Sequence, residues 1–132
     1  MDLTRHGDHA ALVGRIFYSS LFILYGWFKL TAYTGTTAYM ANHGLPVPAL
    51  AAVIAILFEL GGGLLMLVGY QTRLVALALA VYVLVAALIA HTHWADGAQL
   101  VNFFKNMAIT GGSLAFVAFG AGRYSLDARK KL

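Results

Sequence analysis

The sequence predicts an all-α integral membrane protein, a four-helix bundle of up-down-up-down order, on three observations. Its 132 residues are 61% hydrophobic and only 11% charged, against roughly 45–50% and about 25% in soluble domains. The apolar excess gathers into four runs, at about 10–30, 47–68, 74–90 and 100–119, each near the ~20 residues that cross a hydrocarbon core. None of the runs alternates with period two, and the chain is too short for a closed barrel, so the helix is the spanning form that remains.

The first run is preceded by Asp2 and Asp8 and followed by no A-x-A site, so it reads as an anchor rather than a removed signal. The connection from Thr31 to Pro46 is the longest. Its Tyr33, Tyr39 and Met40, set among small polar residues, predict a short interfacial helix between spans one and two. Gly69-Tyr70-Gln71-Thr72 and Asp96-Gly97 supply the other two turns. Arg5, Arg15, Arg73, Arg123, Arg129, Lys130 and Lys131 fall at the end holding both termini and the second loop, with Lys29 and Lys105 toward the other. This asymmetry predicts both termini in the cytoplasm. It also accounts for the net charge of +4 without a nucleic-acid partner, since no basic face forms. Trp27, Tyr33, Tyr39, Trp94 and Phe103 would form an outer aromatic belt, and Phe17, Tyr18, Tyr70 and Tyr124 an inner one.

Cysteine is absent, which excludes disulfides, thiolate nucleophiles and Cys-ligated metal centres. No phosphate loop, nucleophile elbow, HExxH or Rossmann fingerprint is present. His91, His93, His43 and Asp96 cluster near the outer loops, but an H-x-H pair alone does not make a metal site and none is expected. Interfacial histidines that bond headgroups or pass protons suit these positions better.

Glu59 carries the most information. It stands about 18 Å from Val47 and 13 Å from Val68 along a helix of ~1.5 Å rise, too deep to reach water. A charge there needs neutralisation, a cation or a wet cavity. On the first span Arg15, Ser19, Phe22, Gly26 and Lys29 share one face, and on the fourth Asn102, Lys105, Asn106, Ile109, Gly112 and Ser113 share another. The expected ligand- or proton-binding residues are therefore Glu59, Arg15, Lys29, Lys105, Asn106 and His91. The bland reading makes Arg15, Arg73, Lys29 and Lys105 snorkelling side chains and Glu59 a structural ion pair. Gly26, Gly61, Gly62, Gly63, Gly111 and Gly112 are expected to let helices pack closely. The echo of Gly61-Gly62-Gly63 in Gly111-Gly112, and of Gly14-Arg15 in Thr72-Arg73, predicts a pseudo-twofold bundle.

Gly14-Arg15, Gly26-Trp27-Phe28-Lys29-Leu30, Tyr39-Met40, Gly44-Leu45-Pro46 and Phe58-Glu59-Leu60-Gly61-Gly62-Gly63 come in sequence, followed by Gly69 to Arg73, His91, Phe104-Lys105-Asn106 and Gly120 to Asp127. In this order they resemble the DoxX family of small bacterial inner-membrane proteins, over nearly the whole chain. The resemblance implies one four-helix membrane domain over 1–132 and a place in the inner membrane. It further implies kinship with the quinone-linked DoxD subunit of thiosulfate oxidation, and some relatives associate with membrane oxidoreductase complexes that protect against oxidative stress. The extra segments of the thiosulfate-oxidising proteins are missing here, so that substrate is not carried over. With no covalent cofactor expected, three roles are open. One is an accessory redox subunit holding a quinone or similar amphipathic molecule in the seam of Arg15, Lys29, Glu59, Lys105 and Asn106. The second is a small-molecule or proton-coupled transporter using the same cluster. The third is a scaffold binding another membrane or redox protein, or a second copy of itself.

Overall fold

The computed structural model describes residues 3–130; Asp2 and Lys131 lie outside it. A 3₁₀ turn, Leu3–His6, leads into α1 (Gly7–Thr31). Next come α2 (Tyr33–Asn42), α3 (Pro48–Val68), α4 (Thr72–Ala90), α5 (Gly97–Phe119) and the single turn α6 (Leu126–Arg129). No strand occurs among the described residues.

The boundaries follow local chemistry. Pro48 opens α3 at a position where a missing N–H costs nothing. Gly69 closes it in the left-handed region at φ +69°, with Tyr70 N–H donating to Leu65 O at 3.0 Å and Gly69 N–H to Met66 O at 3.2 Å. That pair of bonds is a Schellman ending, which takes up carbonyls the helix leaves open. The Asp96 carboxylate accepts Ala98 N–H at 3.0 Å and so starts α5 three residues before the expected apolar run.

Three helical stretches are long and apolar enough to cross a membrane: Leu3–Thr31, Pro48–Val68 and Thr72–Ala90. The fourth of the expected spans is not among them. Helix α5 has the length but, carrying Asn102, Lys105 and Asn106, not the apolar composition. It packs along α4 in one of the two most extensive helix contacts among the described residues, the other being α1 against α3.

Helix α1 runs against α3. A Cβ on Gly26 would lie 2.5 Å from Leu60 N, and one on Gly63 would lie 2.9 Å from Ile23 Cγ1, so the two backbones almost touch. Gly62 likewise faces Leu79 of α4, at 2.9 Å. The other glycines expected to pack do not: Gly61 and Gly111 face open space and Gly112 meets only Tyr18, at 4.0 Å. Each residue of a helix is turned about 100° from the last, so of three consecutive glycines only some can face a neighbour. The echo between Gly61-Gly62-Gly63 and Gly111-Gly112 therefore has no counterpart in packing.

The core centres on Phe22, Met66, Ala76, Leu79 and Val83, with a smaller cluster of Met40, Ala52 and Ala55 beneath α2. The outer faces are apolar as well, with Phe17, Leu57, Leu74, Leu88 and Phe119 exposed, as a lipid solvent requires. Tyr18, expected in the inner belt, instead turns inward, bonds Ser113 and meets the Phe22 ring tilted and the Phe116 ring edge-on.

Both ends of the chain meet at one end of the bundle. Asp8 accepts Arg123 N–H at 2.8 Å, and Asp127 N–H donates to Gly69 O at 2.9 Å. The Asp127 carboxylate also accepts the N–H groups of Gln71 (2.7 Å) and Thr72 (2.8 Å), capping α4 from the far end of the chain. Burial acts to raise the Asp127 pKa, but these hydrogen bonds and the Lys130 charge hold it below the ordinary carboxylate value. A depressed folded pKa gives stability that is present above the unfolded value of about 3.9 and lost as pH falls toward the folded one. Asp127→Asn should cost about 1 kcal/mol at pH 7. Thermal unfolding in detergent should show the gap to wild type closing at and below pH 4; an unchanged gap would refute the cap.

Candidate functional site

Helix α3 is not α throughout. Leu57–Gly61 is a π segment, a one-residue insertion that often marks functional positions. Weak helix-formers end and follow it, since each glycine of Gly61-Gly62-Gly63 is about 1 kcal/mol poorer than alanine. Glu59 lies in this segment, 8% exposed. Lys29, in the last turn of α1, donates to Glu59 Oε2 at 2.8 Å. Tyr82 of α4 donates its hydroxyl to Oε1 at 2.7 Å, and the Phe58 ring stacks on Tyr82 with centroids 5.2 Å apart. A cation and a hydroxyl thus compensate a carboxylate at mid-helix depth, which is how a buried charge becomes tolerable. Each carboxylate oxygen still has lone-pair capacity beyond its single donor.

That capacity faces a partly open cavity of about 710 Å³ lined by residues of α1 to α5, among them Thr36, Tyr39 and Met40 of α2. Its wall is mainly apolar with a few converging polar groups, the usual make-up of a small-molecule site. Lys29, Glu59, Lys105, Asn106 and His91 all line it. Lys105 Nζ lies 3.4 Å from Asn102 Oδ1 and 5.8 Å from the centroid of the Tyr25 ring, which Lys29 Nζ also approaches, at 5.3 Å. Asn106 Nδ2 donates to Val83 O at 3.4 Å, and His91 Nδ1 pairs with Gln99 Oε1 at 2.8 Å. Among the described residues no three His, Cys, Asp or Glu side chains come together as a metal site.

Arg15 is the exception. It shares the inward face of α1, where Arg15, Ser19, Phe22 and Gly26 are all buried, but stands fourteen residues before Lys29, about 21 Å along the axis. Fully buried, its Nη1 donates to Met66 O (3.1 Å) and Leu67 O (2.8 Å) and its Nη2 to Tyr124 O. It therefore satisfies the last carbonyls of α3, at the negative end of that helix dipole, and neither snorkels nor reaches the cavity. Arg73 closes α5 in the same manner, donating to Val117 O at 2.7 Å and Ala118 O at 2.6 Å.

Sequence reasoning missed Tyr82 and Tyr25. The signal for Tyr82 was a hydroxyl-bearing ring in the middle of an otherwise aliphatic helix, because a buried tyrosine O–H needs a partner. For Tyr25 it was the i, i+4 spacing to Lys29.

The DoxX family profile matches residues 10–92, a stretch that includes Lys29, Glu59, Tyr82 and His91 but ends before α5. "Inner membrane protein YqjF" of Escherichia coli (strain K12) is 42% identical over 120 residues, covering 91% of each chain. "Inner membrane protein YphA" of the same organism is 38% identical over 140 residues, covering 98% of this chain and all of the relative. No solved structure matches. The three apolar helices and these two relatives support a place in a bacterial inner membrane. On the extent of the profile match and of the similarity to both relatives, the chain belongs to the DoxX family.

Proposed function

We propose that this protein crosses the inner membrane four times, with both termini in the cytoplasm, and serves as an accessory subunit of a membrane redox system. Its cavity would bind a quinone or a similarly shaped amphipathic molecule. The fourth crossing draws support from α5, whose 23 residues lie along α4 with Asn102, Lys105 and Asn106 toward the cavity. The cation asymmetry supports the sidedness.

The observation that carries the ligand reading is Glu59, held in a π segment by Lys29 and Tyr82 at the wall of a cavity of about 710 Å³. The donor set fits a quinone head: Lys29, Lys105 and Asn106 can donate to carbonyl oxygens, and the apolar wall suits ring and tail. A bound quinone would supply two-electron carrier chemistry to a partner protein. The chain's own residues bind and orient it, while Glu59 and Tyr82, already joined by a hydrogen bond, can hold or pass the accompanying proton.

Titrating a short-chain ubiquinone into the protein in nanodiscs, followed by tryptophan quenching, tests this. Saturable binding is expected, with affinity falling about tenfold, ~1.4 kcal/mol, in Glu59→Gln. Absence of saturable binding would refute the reading. Proton-driven solute uptake into vesicles, lost in Glu59→Gln, would replace it with transport.

A further inference from the structure

We infer that the ligand of this cavity carries a negatively charged oxygen head and that Lys105 receives it. The inference rests on the reading that the cavity binds an amphipathic molecule. It adds the charge and the contact point.

Two ammonium groups line the cavity, against one carboxylate. Glu59 is committed to Lys29 at 2.8 Å, which leaves Lys105 without a counter-charge. Among the described residues no carboxylate lies within salt-bridge distance of Lys105, and its one hydrogen bond, to Asn102 Oδ1, is long at 3.4 Å. Asp96, the acid on the same helix, is nine positions earlier, about 13 Å along the axis, and occupied by Ala98 N–H. An ammonium has three N–H donors, so most of the bonding capacity of Lys105 is unused.

Its direction also matters. Lys105 Nζ approaches the Tyr25 ring that Lys29 Nζ approaches from its own helix. Two like charges are thus gathered around one aromatic ring, with a single carboxylate lining the cavity to offset them. The histidines of the lining, His43 and His91, can only add positive charge. A site with one cation in excess beside an apolar wall discriminates by charge, because an anion entering it gains an ion pair that a neutral head does not. The head that fits is a carboxylate or an acidic enol or phenol, on an apolar body.

Two sources offer that chemistry, a fatty acid and an ionised hydroxyquinone, and matched probe pairs separate them. In nanodiscs of phosphatidylcholine at pH 7.5, with partitioning into empty discs subtracted, dodecanoate is compared with methyl dodecanoate. A 3-alkyl-2-hydroxy-1,4-naphthoquinone is compared with its 2-methoxy analogue. The anionic member should bind at least about tenfold tighter, with a preference that shrinks as salt rises. Lys105→Met should abolish the preference by weakening the anionic member of each pair far more than the neutral one, and Lys105→Arg should keep it. Equal binding of charged and neutral probes, or a preference that survives Lys105→Met, overturns the inference and leaves the cavity reading standing. Charge preference in the dodecanoate pair alone upholds the inference and removes the redox role. Failure of all four probes to bind overturns both.

Discussion

Arg15→Met should lower stability by about 2–5 kcal/mol, since hydrogen bonds from a charged donor are worth about 1.5–3 kcal/mol each and removing the buried charge recovers part of that. The guanidinium is 0% exposed and donates to Met66 O, Leu67 O and Tyr124 O, and methionine fills similar volume without donating at all. Three carbonyls would then lose a charged donor: Met66 O keeps its bond from Gly69 N–H, and each of the other two forfeits about 1–3 kcal/mol of solvation. Two of the three are the last carbonyls of α3. The third belongs to the C-terminal segment, so the change should loosen that segment as well as α3. Arg15→Lys should recover only part of the loss, since one ammonium cannot span the positions the planar fork reaches. Thermal unfolding in detergent and proteolysis after Arg123 measure the two effects. A small stability change in Arg15→Met, with quinone binding lost, would show that Arg15 belongs to the ligand site after all.

Gly26→Ala comes next in size. The new methyl would lie 2.5 Å from Leu60 N and 2.9 Å from Leu60 Cα, contacts with backbone that no rotamer change relieves. Overpacking of this kind costs about 1–3 kcal/mol, and here α1 must move away from α3. Gly26 is three residues before Lys29, so the displacement should lengthen the 2.8 Å contact with Glu59. Stability and ligand affinity should therefore fall together. Gly111→Ala is the control, as a methyl there meets nothing within 4 Å and the change should be neutral or stabilising by up to about 1 kcal/mol. Equal effects of the two substitutions on unfolding would show that the α1–α3 contact is not what Gly26 serves.

The same two residues show how far the sequence reaches. Helical spacing placed Arg15, Ser19, Phe22 and Gly26 on one face of the first helix, and that face is the buried one. Spacing reports rotation about the axis, and on that basis Arg15 was grouped with Lys29. Depth separates them, and depth decides which helix end or cavity a side chain meets. The glycine runs were legible as packing elements, but which of them touch a neighbour depends on the angle at which the helices cross. Gly62 and Gly63 touch and Gly61 does not. In the ion pair Glu59 was recognisable from the cost of a charge at mid-span, and Lys29 was among its expected companions. The hydroxyl of Tyr82 and the π segment were not recognisable, because one depends on how α4 rotates against α3 and the other on a single shifted hydrogen-bond register.

The sequence by itself determined that this is a helical membrane protein, where its helices run, which face of α1 turns inward and that Glu59 needs compensation. Those properties follow from hydropathy and helical period, both local to a segment. The tertiary structure alone decided what each polar side chain meets. Arg15 and Arg73 both close helix ends by donating to backbone carbonyls 44 to 109 positions away. Every residue carries such a carbonyl, so nothing in the sequence marks the ones that packing leaves open.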